Sequence, residues 1–212
     1  MILPSSLWSI TLAFCLMFAM PVPETQILGS AVLAQNNSLQ RDRWQTLSNR
    51  ENKDLEQGKV VLKGEKGNYL GRIIATGDIN TAWSVLTDYN NFDRFLPNIV
   101  SSKVIETEGD RVLFEQINVV DLWLFQEKFM VQIVANKIQP SQVDFKLADG
   151  ELNKLIGKWH IEEITPGKIL VSHQVEVEPG SNTEKPFFYG IYESSLEETL
   201  KAIAVEINRR SK

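Results

Sequence analysis

The sequence predicts an α+β domain: a curved antiparallel sheet of about six or seven strands around one long C-terminal helix, with two short helices after the first strand region. Three observations predict it. Strand-like runs follow one another with short Gly- and Pro-bearing breaks, which join antiparallel neighbours. Only one long stretch has a sustained helical period. That stretch comes last, where it can lie across a face the strands have already formed.

The elements can be justified in order. Arg41–Gln57 lacks Gly and Pro, and Trp44, Leu47 and Leu55 give it a thin apolar stripe. It reads as a short helix with Gly58 at its C-terminal cap, either packed on the domain or covering an opening in it. Val60–Leu62 and Tyr69–Thr76 flank Gly64-Glu65-Lys66-Gly67-Asn68 and read as a hairpin. The glycines do not make a GxGxxG or a phosphate loop. Asp78–Leu86 reads as a helix capped by Asp78, and Asp88–Leu96 as a second one stopped by Pro97. Strands are predicted over Ile99–Glu108, Arg111–Val120, Leu122–Asn136, Gln142–Leu147, Asn153–Ile164 and Lys168–Val177. The final helix is predicted over Lys185–Arg210, where Phe188, Ile191, Tyr192, Leu196, Leu200, Ile203 and Ile207 recur on one side.

A helix is about 10–12 Å across, whereas six or seven strands at about 4.8 Å make a face roughly 30 Å wide. One helix cannot close such a face, so a hollow between sheet and helix is expected.

Composition narrows the function. The formal charge is −5 and no segment is dominated by Lys or Arg, so no nucleic-acid partner is predicted. The single cysteine, Cys15, lies in the apolar run Leu7–Met20, which is long enough for an export signal but short for a bilayer span. Ala31-Val32-Leu33-Ala34 suits cleavage. The organisation expected is a signal peptide over 1–34, a polar linker and short helix over 35–58, and a ligand-binding domain over 59–210. The destination would be a periplasm or thylakoid lumen, and the alternative is a membrane anchor formed by an uncleaved N-terminal segment. A cleaved chain would keep no cysteine, which leaves no disulfide, thiolate or Cys-ligated metal.

The run Trp83-Ser84-Val85-Leu86-Thr87-Asp88-Tyr89, continuing through Phe92 to Phe95-Leu96-Pro97 and on to Ser101-Ser102-Lys103-Val104, resembles the START-like, helix-grip superfamily. Within it the chain looks like the polyketide cyclase/dehydrase and coenzyme Q-binding branch, in an exported cyanobacterial form. The resemblance covers about Lys59–Arg210. It implies a hydrophobic cavity between sheet and helix and a lipophilic ligand, an isoprenoid quinone or other lipid.

Alternation places Trp123, Phe125, Phe129, Val131 and Ile133 on one strand face, Leu155, Trp159 and Ile161 on another, and Ile169 to Val177, including His173, on a third. The candidate ligand-binding residues are Tyr89, Phe92, Phe95, Trp123, Phe125, Phe129, Phe145, Trp159, His173, Tyr192 and Ser195. His173 stands alone on an apolar face, where a neutral imidazole can hydrogen-bond a ligand carbonyl. The alternative is a core histidine bonded to Tyr192 or Ser195. The resemblance implies that the segment Asp88–Pro97 lies near the cavity mouth, where it could gate access, touch a membrane surface, or simply pack its aromatics under the sheet edge.

Glu162-Glu163 and Glu197-Glu198 diverge by strand and helix geometry and make no acid/base couple. His160 falls on the face opposite Trp159, so two histidines make no metal site. No catalytic residue, metal or cofactor is assigned. The predicted function is binding or transport of a lipophilic small molecule. The alternatives are a cyclase/dehydrase-type enzyme acting on an aromatic or polyketide substrate through His173 or a tyrosine, and an interaction protein with a vestigial cavity.

Overall fold

The computed structural model describes residues 47–122, 125–181 and 183–212, and the side chains of 120–127 lie outside that description. The apolar run Leu7–Met20, the cleavage site, Trp44, Trp123 and the Phe125 side chain are therefore outside the described residues. The elements run α1 (Asn49–Glu56), β1 (Val61–Glu65), β2 (Asn68–Thr76), α2 (Ile79–Leu86), a 3-10 helix (Tyr89–Arg94), β3 (Ile99–Glu108), β4 (Arg111–Leu122), β5 (Phe125–Ile138), β6 (Gln142–Gly150), β7 (Lys154–Thr165), β8 (Lys168–Glu178) and α3 (Lys185–Arg210).

Local chemistry explains the helix ends. Ser48 and Glu51 form a capping box at the start of α1, and Gly58, with φ of +75°, follows its C-cap. Asp78 Oδ1 accepts from the backbone N–H groups of Asn80 (2.8 Å) and Thr81 (2.9 Å) and starts α2. Pro186 occupies the first turn of α3, where its missing N–H costs no helical bond.

The sheet has eight antiparallel strands in the order β1-β2-β8-β7-β6-β5-β4-β3, which corrects the expected six or seven. The opening hairpin does not stand aside. β2 pairs with β8 along its whole length, from Asn68↔Glu176 to Thr76↔Lys168, and so adds two strands to the six that follow.

The inner face follows strand alternation. Tyr69, Ile73 and Ala75 of β2 are buried together with Ile169, Val171, His173, Val175 and Val177 of β8. Helix α3 lays Leu196, Leu200, Ile203 and Ile207 on them. Gly71 marks the crossing, since a Cβ there would collide with Leu200 Cδ1. The other face of β2 carries Leu70 and Arg72, buried where α1 packs with Leu55 against β1 and β2. Helix α1 thus packs on the domain, on the side away from α3, and is no cover for the hollow.

The C-terminal end of α3 is tied down by charge. Arg210 bonds Asp88 Oδ2 at 2.7 Å and Glu206 Oε1 at 2.7 Å. Glu206 is only 7% exposed, and the Arg209 and Arg210 guanidiniums hold its carboxyl down at about 2. The Arg210 guanidinium also lies 5.4 Å from the Phe95 ring centre. These contacts fix the end of the helix to the segment that begins the 3-10 helix.

Gly157 on β7 is a packing requirement of the inner face. A Cβ there would collide with the Gln174 carbonyl oxygen on β8 and come within 2.6 Å of Phe145 Cζ. The backbone partner cannot step aside as a side-chain terminus can. Gly157→Ala is expected to cost about 1–3 kcal/mol in urea unfolding. Gly71→Ala should also destabilise in the same measurement, because the Leu200 methyl it would meet is fully buried under α3 and has no free space to move into.

Candidate functional site

Between the inner face of β4 to β8 and α3 lies an apolar cavity of about 200 Å³. Its lining spans five strands, which is four strand spacings or about 19 Å measured across the sheet. Phe129, Val131, Ile133 and Ala135 of β5 form the middle of its floor, and Tyr192, Ser195, Leu196 and Thr199 of α3 form the roof. Phe92, Leu96, Pro97 and Ile99 close one side.

The β8 end is built around His173. Trp159 is its direct cross-strand partner, and their rings stack with centres 3.8 Å apart. Phe145 stacks on the same imidazole at 5.4 Å with planes 9° apart. The Phe145 ring reaches across β7 because Gly157 carries no side chain. His173 is 5% exposed, and its Nδ1 has no hydrogen-bond partner among the described residues. The bond to Tyr192 or Ser195 that the sequence allows is therefore not made at Nδ1. Burial pushes the imidazole down to about 3, so the ring is neutral at any physiological pH.

The β4 end is an aromatic cluster. Tyr89 stacks on Phe114 at 4.6 Å, and Phe92 meets both edge-on at 5.5 and 6.1 Å. The Tyr89 hydroxyl is buried without a hydrogen-bond partner among the described residues, and burial raises its pKa. Burial likewise raises that of Tyr192, which stacks between Tyr69 (5.9 Å) and Phe188 (5.7 Å). Asn98 Nδ2 donates long bonds to Ser195 Oγ (3.5 Å) and Glu198 Oε2 (3.4 Å), which link the mouth to α3.

Of the residues singled out from the sequence, Tyr89, Phe92, Phe129, Phe145, Trp159, His173, Tyr192 and Ser195 line the cavity. Phe95 does not, since it packs edge-on against Phe92 at 5.8 Å and under Arg210. Trp123 and the Phe125 side chain lie outside the described residues.

Sequence reading missed Gln116 and Asn118, which share the inner face of β4 with Phe114. The signal was present: Phe114, Gln116 and Asn118 alternate, so an inward Phe114 carries both polar residues inward. Among the described residues, no group of three or more His, Cys, Asp and Glu side chains comes together to hold a metal ion.

This architecture is the START-like, helix-grip fold. Residues 77–203 match the family model described as polyketide cyclase/dehydrase and lipid transport, and the chain belongs to that family. No curated protein matches it. Solved structures share the fold at low identity. A START superfamily protein from Mycobacterium smegmatis aligns at 15% identity over 72% of this chain and 99% of its own, with a TM-score of 0.58. The Zhui aromatase/cyclase from Streptomyces sp. R1128 aligns at 11% identity over 68% and 95%, with a TM-score of 0.58. A STAR-related lipid transfer protein from Xanthomonas axonopodis aligns at 14% identity over 70% and 92%, with a TM-score of 0.57. Such identities establish the fold, and the site itself must carry the function.

The buried histidine makes stability depend on pH. Its folded value, about 3, lies below the ordinary 6.5, so the unfolded chain takes up the proton first. The contribution is complete above pH 6.5 and is lost as pH falls from 6.5 toward 3. At pH 4.5 the loss relative to pH 7 is on the order of 2 kcal/mol. His173→Phe, which cannot titrate, should lose less by about that amount when urea unfolding is compared at the two pH values. The carboxylates of Glu51 and Glu206, both held at about 2, are common to the two proteins and cancel.

Proposed function

We propose that this chain binds and carries a lipophilic small molecule whose ring or head sits in the cavity against His173. The observation that carries this reading is the neutral, unpartnered imidazole Nδ1 in an apolar site, stacked on Trp159 and Phe145. A carbonyl or hydroxyl on a flat, apolar ring satisfies such a group, and the flanking aromatics suit that ring. A quinone of isoprenoid type has this chemistry, in line with the coenzyme Q-binding branch. The volume refines the expectation. About 200 Å³ is below the 300–1,000 Å³ of sites for drug-sized ligands, so it holds a ring system or head rather than a whole long-tailed lipid.

Export remains part of the proposal and rests on the Leu7–Met20 run. So does contact of the Asp88–Pro97 segment with a membrane, from which such a ligand would be drawn. Among the described residues no helix is long and apolar enough to cross a membrane.

A second reading is an enzyme of the aromatase/cyclase kind, as the structural neighbour from Streptomyces is named. It is favoured by two unpartnered groups, His173 Nδ1 and the Tyr89 hydroxyl, in one set of cavity walls.

Protein purified from its native host should yield one prenylquinone or other lipid per chain in the organic extract, identified by mass spectrometry. Trp159→Ala should weaken that ligand by roughly ten- to a hundredfold, the range expected for losing one large apolar side chain from a binding site. An empty protein that also fails to bind short-tailed quinones contradicts the carrier reading. Conversion of an added polyketide that stops in His173→Ala, with the fold intact, would decide for the enzyme.

A further inference from the structure

A second hollow, of about 250 Å³, opens between α2 and the turn joining β3 and β4. Its walls include Trp83, Thr107, Asp110, Lys137 and Gln139. Tyr89 lines both this hollow and the inner cavity.

The strand rows explain the arrangement. On β5, Val131, Ile133 and Ala135 line the inner cavity, and Lys137, next in the same row, lines the outer hollow. On β4, Gln116 and Phe114 line the inner cavity, and Val112, next in that row, lines the outer one. Residues two apart share a face, so one floor runs under both spaces. Tyr89, stacked on Phe114, stands across that floor.

Its backbone is anchored, because Ser102 Oγ donates to the Tyr89 carbonyl at 2.5 Å. Its side chain is not. The hydroxyl makes no hydrogen bond among the described residues, so the ring is held by stacking with Phe92 and Phe114. Swinging it aside breaks no polar contact.

We propose that Tyr89 is a gate, and that the outer hollow is the head-group subsite of the same binding site, taking a neutral, hydrogen-bonding head group on a ligand whose ring lies against His173 in the inner cavity. The inference rests on the lipophilic-ligand reading above. With the gate open, spaces of about 200 and about 250 Å³ join into one that falls within the usual range for ligand sites. The head is neutral because the hollow presents one cation, Lys137, and one carboxylate, Asp110, so the lining carries no net charge to repay the desolvation of a charged head. Thr107 and Gln139 add uncharged donors and acceptors.

The test is isothermal titration and stopped-flow binding of decan-1-ol to the full-length protein, with naphthalene as a headless probe of the inner cavity alone. The Thr107→Val/Gln139→Ala double variant should bind decan-1-ol about tenfold more weakly and naphthalene as before, a loss equivalent to one or two hydrogen bonds. Decanoate and decylammonium should bind more weakly than the alcohol. Tyr89→Ala should speed decan-1-ol association at least tenfold, while Tyr89→Phe, which keeps the ring, should not. Unchanged naphthalene binding in the double variant shows that its fold is intact. If naphthalene binds the parent protein but decan-1-ol is indifferent to the double variant, or decanoate binds best, the head-group subsite is overturned and the carrier reading stands. If neither probe binds the parent protein, both fall together.

Discussion

A helix about 10–12 Å across has to cover a face of eight strands, about 34 Å wide at ordinary strand spacing. Helix α3 meets that constraint by packing closely over β2, where Gly71 admits Leu200, and over the neighbouring β8. Close contact at this side of the sheet leaves β4 to β7 to be covered by something else. The 3-10 helix and its aromatics close part of the far side, and the space between the two coverings is the cavity. The salt bridge from Arg210 to Asp88 joins the two coverings, because Asp88 directly precedes the 3-10 helix. The 3-10 helix is thus held from two sides, by Arg210 of α3 at Asp88 and by Ser102 and Val104 of β3 at Tyr89 and Asn90.

The same constraint sets the chemistry. A histidine on an inner strand face is withdrawn from water by the sheet and by two aromatic rings, and its charge is suppressed for that reason alone. What the site offers a ligand is polarisable ring surface and a few neutral polar atoms: the His173 imidazole, the Tyr89 and Tyr192 phenols, and Gln116 and Asn118 on β4. Such a lining favours flat or chain-like molecules with one or two oxygen atoms.

Much of this was legible in the sequence, for identifiable reasons. The strands could be read because turn residues such as Glu108-Gly109-Asp110 and Pro166-Gly167 punctuate them. Helix α3 could be read because Phe188, Ile191, Tyr192, Leu196, Leu200, Ile203 and Ile207 recur at helical spacing in a stretch with no glycine after Gly190 and no proline after Pro186. Parity put Trp159 and His173 on apolar strand faces expected to point at the long helix, and both line the cavity beneath it. The strand count fell short because nothing local tells β2 to pair with β8, a contact about 100 residues apart in the chain. Gln116 and Asn118 were passed over because polar strand residues read as solvent-facing unless a neighbour of the same parity is followed inward. Phe95 was assigned with the Asp88–Pro97 segment, which the resemblance puts at the cavity mouth, whereas its ring packs under Arg210, near the far end of the chain, and against Phe92. The outer hollow has no sequence signature, since α2, a hairpin turn and the end of β5 meet there only after folding.

The central claim is that an apolar, ligand-accessible space lies under the helix. A crystal structure of the apo protein under xenon pressure tests it most directly, because xenon enters dry apolar cavities and ignores filled cores. The account predicts ordered xenon among Phe129, Val131, Phe145 and Leu155, between β5 and α3. Xenon confined to the surface, with side chains packed through that region, would contradict it.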